Sequence, residues 1–140
     1  MRFVMSRRPS TLRSCAALLL VALAACCGCG PDRPDLAPVT GSVVYNGKPL
    51  AQGTIIFEPT TGRPANGEIK DGKILNVTTF DPGDGAVIGT HRVAIQAAGS
   101  GDMYAPQKEL IPQRYTSIDK SGLTAGIKAG ENDLTFTLTD

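Results

Sequence analysis

Residues 39 to 59 read VTGSVVYNGKPLAQGTIIFEP. Val39, Gly41, Val43 and Tyr45 recur at period two, which sends them to one face of an extended chain, the signature of a half-buried strand. Asn46-Gly47 closes this run; both residue types accept positive φ at little cost, so the pair suits a two-residue hairpin turn. After Lys48-Pro49-Leu50 the alternation resumes, with Ile55 and Phe57 as the inward pair. Pro59 ends it, because proline cannot donate to a ladder.

The rest of the chain repeats this pattern. A short strand is expected around Gly67 to Lys70, then the KDGK turn at 70–73, then an alternating run of Leu75, Val77 and Thr79. Val93, Ile95 and Ala97 alternate in HRVAIQA, Leu123, Ala125 and Ile127 in LTAGIK, and Leu134, Phe136 and Leu138 in DLTFTL. No stretch after residue 30 carries a helical period. Short strands separated by Gly, Pro, Asn and Asp predict an all-β domain over residues 38–140, an antiparallel β-sandwich of about seven strands with Ig-like architecture. Pro59, Pro64 and Lys70 are expected to blunt an edge strand against pairing with other chains. About 115 residues bury roughly two-thirds of their unfolded surface, enough for one core without disulfides or metal. The four cysteines are all at or before Cys29.

The N-terminus is of another kind. Arg2, Arg7, Arg8 and Arg13 precede an apolar run from Cys15 to Ala25, and no acidic residue comes before Asp32. A basic stretch, an apolar stretch and small residues in that order form an export signal. Eleven apolar residues fall well short of the ~20 that a membrane-crossing helix needs. Ser6-Arg7-Arg8 matches the start of a twin-arginine signal, but Pro9-Ser10-Thr11 does not continue it, which favours the general secretory route. Without residues 1–25 the chain carries ten Lys/Arg against thirteen Asp/Glu, a net charge of −3. Such a domain has no basic face for nucleic acid.

Three of the four cysteines lie within LLLVALAACCGCG, residues 18–30. A metal site would need a second cysteine pair at ligand spacing, and a Cys27–Cys29 disulfide would close a very small, strained ring. Leu23-Ala24-Ala25-Cys26 resembles the bacterial lipobox. The resemblance implies that the Cys26 thiol is alkylated by a diacylglyceryl group, that the signal is cleaved just before Cys26, and that the new N-terminus is acylated. The chemistry fits the residues: small side chains admit an extended backbone to the peptidase, and the thiol is the nucleophile for a thioether. At ~0.8 kcal/mol per buried CH₂, two or three acyl chains hold a protein to a membrane essentially permanently. Residues 26–37, CCGCGPDRPDLA, are rich in Gly and Pro and read as a flexible tether. In the enterobacterial members of that class an aspartate after the lipidated cysteine favours the inner membrane; here Cys27 holds that place, so the outer membrane is permitted. The expected address is the bacterial cell envelope.

The stretch 39–59 also resembles the opening of carboxypeptidase regulatory-like domains, the transthyretin or prealbumin-like sandwiches, which read G-x-V, then G-x-P-L, then a small residue before V-x-F. TTFDPGDGAVIGTHRVAI, LIPQRYTS and SGLTAGIKAGENDLTFTL further resemble small bacterial lipoproteins carrying that domain. The resemblance covers residues 38–140 and implies the fold and the lipoprotein class. Hydroxyisourate hydrolases of related fold need several histidines and a C-terminal Tyr-Arg-Gly-Ser, and related intradiol dioxygenases bind iron with two tyrosines and two histidines. This chain has one histidine, His91, and ends Thr-Leu-Thr-Asp. The expectation is a non-catalytic module without cofactor or metal.

Four further features carry expectations. His91 shares the parity of Val93 and Ile95, so it should point inward beneath the PGDGAVIG turn, its neutral ring donating to one loop carbonyl and accepting from one amide. Asp81 and Asp84 in FDPGDGA admit a calcium reading, but two acids fall short of six to eight oxygens, and Asp before Pro-Gly is ordinary turn chemistry. Asn76-Val77-Thr78 fits the glycan acceptor pattern and is read as coincidental. The connection 99–122 is long for a structureless loop. Leu110, Ile111 and Tyr115 should tuck a short helical turn against the sheet and cover its open end, leaving Met103, Tyr104 and Arg114 as candidate contact residues. Two function classes follow: an anchored binding or structural module contacting another envelope protein, or a carbohydrate- or small-ligand-binding lipoprotein. The absence of Trp and the presence of three Tyr count against the second.

Overall fold

In the computed structural model, residues 33–99 and 108–140 are described, and Pro34–Asp140 form one compact unit. The unit is all-β. Its strands are β1 (Leu36–Ala37), β2 (Val39–Tyr45), β3 (Lys48–Pro49), β4 (Gln52–Pro59), β5 (Ala65–Lys70), β6 (Lys73–Thr78), β7 (Ala86–Val87), β8 (Gly89–Gln96), β9 (Leu123–Ile127) and β10 (Asn132–Leu138). Leu36–Ala37, the end of the segment read as tether, thus form a strand of the folded unit.

The expected pair of facing sheets is corrected to one main sheet. Its strands run β10-β2-β6-β5-β4-β8-β9, with β3 added alongside β2, and it curls into a half-barrel; β1 and β7 make a small second sheet. Neighbours are antiparallel except β10 and β2, which run parallel over seven residue pairs from Asn132↔Val39 to Leu138↔Tyr45. The first long strand and the last therefore lie side by side. Their approach is close: a Cβ added at Gly41 would stand 1.9 Å from the Leu134 carbonyl oxygen. The edges are β9 and β10, so Pro59, Pro64 and Lys70, around the interior strands β4 and β5, do not guard an edge.

The inward parity holds for β2, β4, β8, β9 and β10, where Val43, Ile55, Phe57, Val93, Ile95, Ala125, Ile127, Phe136 and Leu138 are buried. In the run Leu75, Val77, Thr79 it is corrected at Leu75 alone, since Val77 and Thr79 are buried as expected. Ile74 and Val77 are buried, whereas Leu75 is 39% exposed. The cause is a bulge: β5 and β6 pair Glu68↔Leu75 and then Asn66↔Thr78, so Asn76 and Val77 together oppose Gly67. Asn76 takes φ of +52° to make the step. A bulge of this kind reverses which residues face the core and adds twist. Gly67 makes room for it, since a Cβ there would meet Val77 at 2.9 Å and Ile55 at 3.0 Å.

The part of the long connection that is described packs onto the core of the half-barrel. Ala98 bridges Glu109, a 3-10 turn spans Gln113–Thr116, and Ile111 and Tyr115 are buried with Leu110 packed beside them. The expected short helical turn is present. Ser121 fastens the far end, its hydroxyl donating to the Val93 carbonyl. At the opposite pole Asn132 holds the β9–β10 turn, its amide donating to Lys128 O at 2.8 Å and Gly130 O at 3.0 Å, its oxygen accepting from Lys128 N–H at 2.9 Å.

Candidate functional site

The lipobox residues Leu23, Ala24, Ala25 and Cys26 lie outside the described residues, as do Met103 and Tyr104 of the contact loop. Arg114, the third contact candidate, is exposed and also bound into the fold. Its guanidinium lies 4.7 Å from the centre of the Tyr115 ring and donates to the Tyr115 hydroxyl at 2.9 Å and to Thr139 O at 2.6 Å.

Sequence reading placed Tyr115 in the core but missed what its hydroxyl does. That oxygen donates to Thr139 O at 3.1 Å and accepts from Thr139 N–H at 3.1 Å. A side chain thus supplies both hydrogen bonds that a neighbouring strand would give the end of β10. The Thr139 N–H holds the Tyr115 phenol below its ordinary value, with Arg114 adding to this and burial opposing it. Beside it, Tyr45 donates to the Asp140 carboxylate, and Asn46 donates to the same carboxylate at 2.8 Å. These donors lower Asp140, Tyr45 first, and the bond to Asp140 raises Tyr45. No sequence signal marked this cluster, because Tyr45 and Asn46 stand 95 and 94 residues from Asp140 in the chain, and Tyr115 stands 24 from Thr139.

At the other pole the FDPGDGA segment is organised by one carboxylate. Asp84 accepts from the backbone N–H groups of Thr79 at 2.7 Å, Phe80 at 2.9 Å and Asp81 at 2.8 Å. Burial raises its pKa as the largest single influence, but the N–H donors together outweigh it and hold the group below the ordinary carboxylate value. Lone pairs filled by N–H donors leave little for a cation, so this is turn chemistry. Thr79 Oγ1 donates to Gly85 O at 2.7 Å and completes the loop. Among the described residues, no group of three or more His, Cys, Asp or Glu side chains is placed to hold a metal ion.

His91 points inward as expected and is fully buried. Nε2 lies 2.6 Å from Val87 O. A carbonyl only accepts, so Nε2 carries the proton. The expected second bond is missing, for Nδ1 is buried with no partner. The ring meets Phe57 edge to face at 6.2 Å.

The surface carries several open grooves of about 400 to 700 Å³. One of about 520 Å³ is lined by Gln52, Thr54, Gln96, Ala98, Glu109 and Thr116. The Gln52 amide donates to Ala98 O at 2.7 Å. Gly53 also lines this groove, and a Cβ there would stand 2.7 Å from Gln96 O. No helix among the described residues is long and apolar enough to cross a membrane. In comparison with known proteins, no family model matches the chain, and neither a curated protein nor a solved structure does.

Proposed function

We propose that this chain is a lipid-anchored protein of the bacterial cell envelope, held by a diacylglyceryl and N-acyl group on Cys26, whose β-domain is a non-catalytic binding or structural module. The domain is read as a member of the carboxypeptidase regulatory-like, transthyretin-like class. The observation that carries the reading is the order of parts: Leu23-Ala24-Ala25-Cys26 after a short apolar run, a Gly- and Pro-rich segment, then a compact unit from Pro34. Mass spectrometry of the membrane fraction tests it. The expected species begins at Cys26 with its acyl mass, and Cys26→Ala leaves an uncleaved, unacylated precursor, while Cys27→Ala and Cys29→Ala are processed normally. A wild-type mature form without lipid overturns the reading.

A second reading, a carbohydrate- or small-ligand-binding protein, is favoured by the groove of amide and hydroxyl side chains at Gln52, Thr54, Gln96 and Thr116. Neutral donors and acceptors of this kind suit a hydroxyl-rich ligand. Glycan-array binding that is lost on Gln96→Ala supports it; an array without signal removes it.

A further inference from the structure

We propose that the open groove where β4 ends and β8 begins binds a small organic amine, a primary ammonium on an apolar stem, with His91 Nδ1 as an acceptor. The groove holds about 540 Å³ and is lined by Glu58, Pro59, Pro64, Thr90, His91 and Arg92. That volume lies within the range of small-molecule sites. His91 is fully buried, whereas the others are exposed or half-buried, and its Nδ1 has no partner. Orphaned buried polar atoms are uncommon in native folds and require a physical account. Nε2 is bonded to Val87 O at 2.6 Å and carries the proton. Nδ1 therefore presents a lone pair, and whatever satisfies it must bring a donor.

The rest of the lining favours the same polarity. Pro59 and Pro64 have no backbone N–H to offer. Arg92 donates Nη2–H to Glu58 at 2.9 Å and Nη1–H to Asp119 at 2.5 Å, so one cation stands against two carboxylates. Glu58 accepts through Oε2, and Oε1 remains for a further donor. A primary ammonium brings three donors and the positive charge that this cluster lacks, whereas a hydroxyl brings one donor and no charge. Apolar surface for the stem comes from the two prolines and from Gly62, where an added Cβ would stand 3.8 Å from Val87 Cγ2 and 3.9 Å from Pro59 Cγ. Nδ1 is covered by its neighbours, so binding includes a small displacement of the lining. Residues 60–64 are free to give way, being exposed and without a backbone hydrogen bond. The site is separate from the groove at Gln52 and depends on the fold alone, not on acylation of Cys26.

Amide and imidazole nitrogen spectra of the full chain, ¹⁵N-labelled and held at pH 7.5, test the site with three probes of one shape. Pentylammonium carries charge and N–H, N,N,N-trimethylpentylammonium carries charge without N–H, and pentanol carries O–H without charge. Pentylammonium is expected to move the Nδ1 resonance of His91, as a lone pair gaining a donor, together with the amides of Gly62, Thr90 and Arg92. The other two probes are expected to bind about tenfold more weakly. Glu58→Gln is expected to weaken pentylammonium by up to about fivefold, and Glu131→Gln, an exposed acid elsewhere, to leave it unchanged. No shift at any concentration the protein tolerates, equal binding of the trimethyl ion, or amide shifts with Nδ1 unmoved overturns the proposal. Tighter binding of acetyl-Gly-Lys-Gly-amide than of pentylammonium overturns the small-amine source in favour of a peptide lysine. The decisive readouts are taken on the wild-type ring, so no variant of the buried histidine has to fold. Failure of Cys26 acylation leaves these outcomes untouched, so the two proposals fall separately.

Discussion

Single atoms decide much of this fold. Gly41 sits where β2 and β10 approach so closely that a methyl group would overlap the Leu134 carbonyl. Gly41→Ala is therefore expected to separate the parallel pair and to cost more than the ~1 kcal/mol typical of a point mutation; a thermal melt within a degree of wild type would contradict this. Asp84 is the second case. Its carboxylate lies below the ordinary value of 3.8 because backbone N–H groups hold the charged form. The stabilisation it gives is complete above the unfolded value and is lost as pH falls through the lowered native value. Asp84→Asn is expected to melt several degrees below wild type at pH 6, from loss of charge-assisted bonds worth about 1.5–3 kcal/mol each at most, with the gap closing toward pH 3. A gap that is constant with pH would assign the effect to packing. The turn at Asp84 was legible from Asp, Pro and Gly in FDPGDGA; its reach to three amides was not, because side-chain acceptors leave no periodic mark.

Elements show where periodicity succeeds and where it fails. Five strands present the residues that alternation selects, since a strand buried on one face must place every second side chain there. β6 departs, because the bulge at Asn76 and Val77 inserts one residue and flips the parity on one side of it. Ile74→Asp should therefore prevent folding, whereas Leu75→Asp should leave the melting temperature within a few degrees of wild type; circular dichroism separates the two. Phe136→Ala removes a buried ring that lies 6.3 Å from Phe57 and is expected to cost about 3–5 kcal/mol in chemical denaturation. Tyr115→Phe keeps the ring and removes both bonds to Thr139, so its smaller loss of about 1–3 kcal/mol should come with faster amide exchange at Thr139. The docking of Leu110, Ile111 and Tyr115 on the core was readable from their spacing. That a tyrosine hydroxyl stands in for a strand was not.

For the whole molecule, the parallel pairing of β2 with β10 sets the folding problem. Strands about 90 residues apart must meet before the half-barrel closes, and loop-closure entropy is lost before those contacts form. Refolding is expected on the millisecond-to-second scale in stopped-flow fluorescence or circular dichroism; a microsecond phase carrying the full amplitude would mean that local hairpins suffice. The sequence by itself determined the all-β class, the positions of most strands and turns and the inward residues of five of them, because each is written in local spacing and residue type. Only the tertiary structure decided that the strands share one curled sheet, that β9 and β10 are its edges, that β6 is bulged, and that His91 holds β7 by one nitrogen. The physical reason is that these features depend on which distant segments meet, and a period-two pattern is the same whatever strand lies beside it.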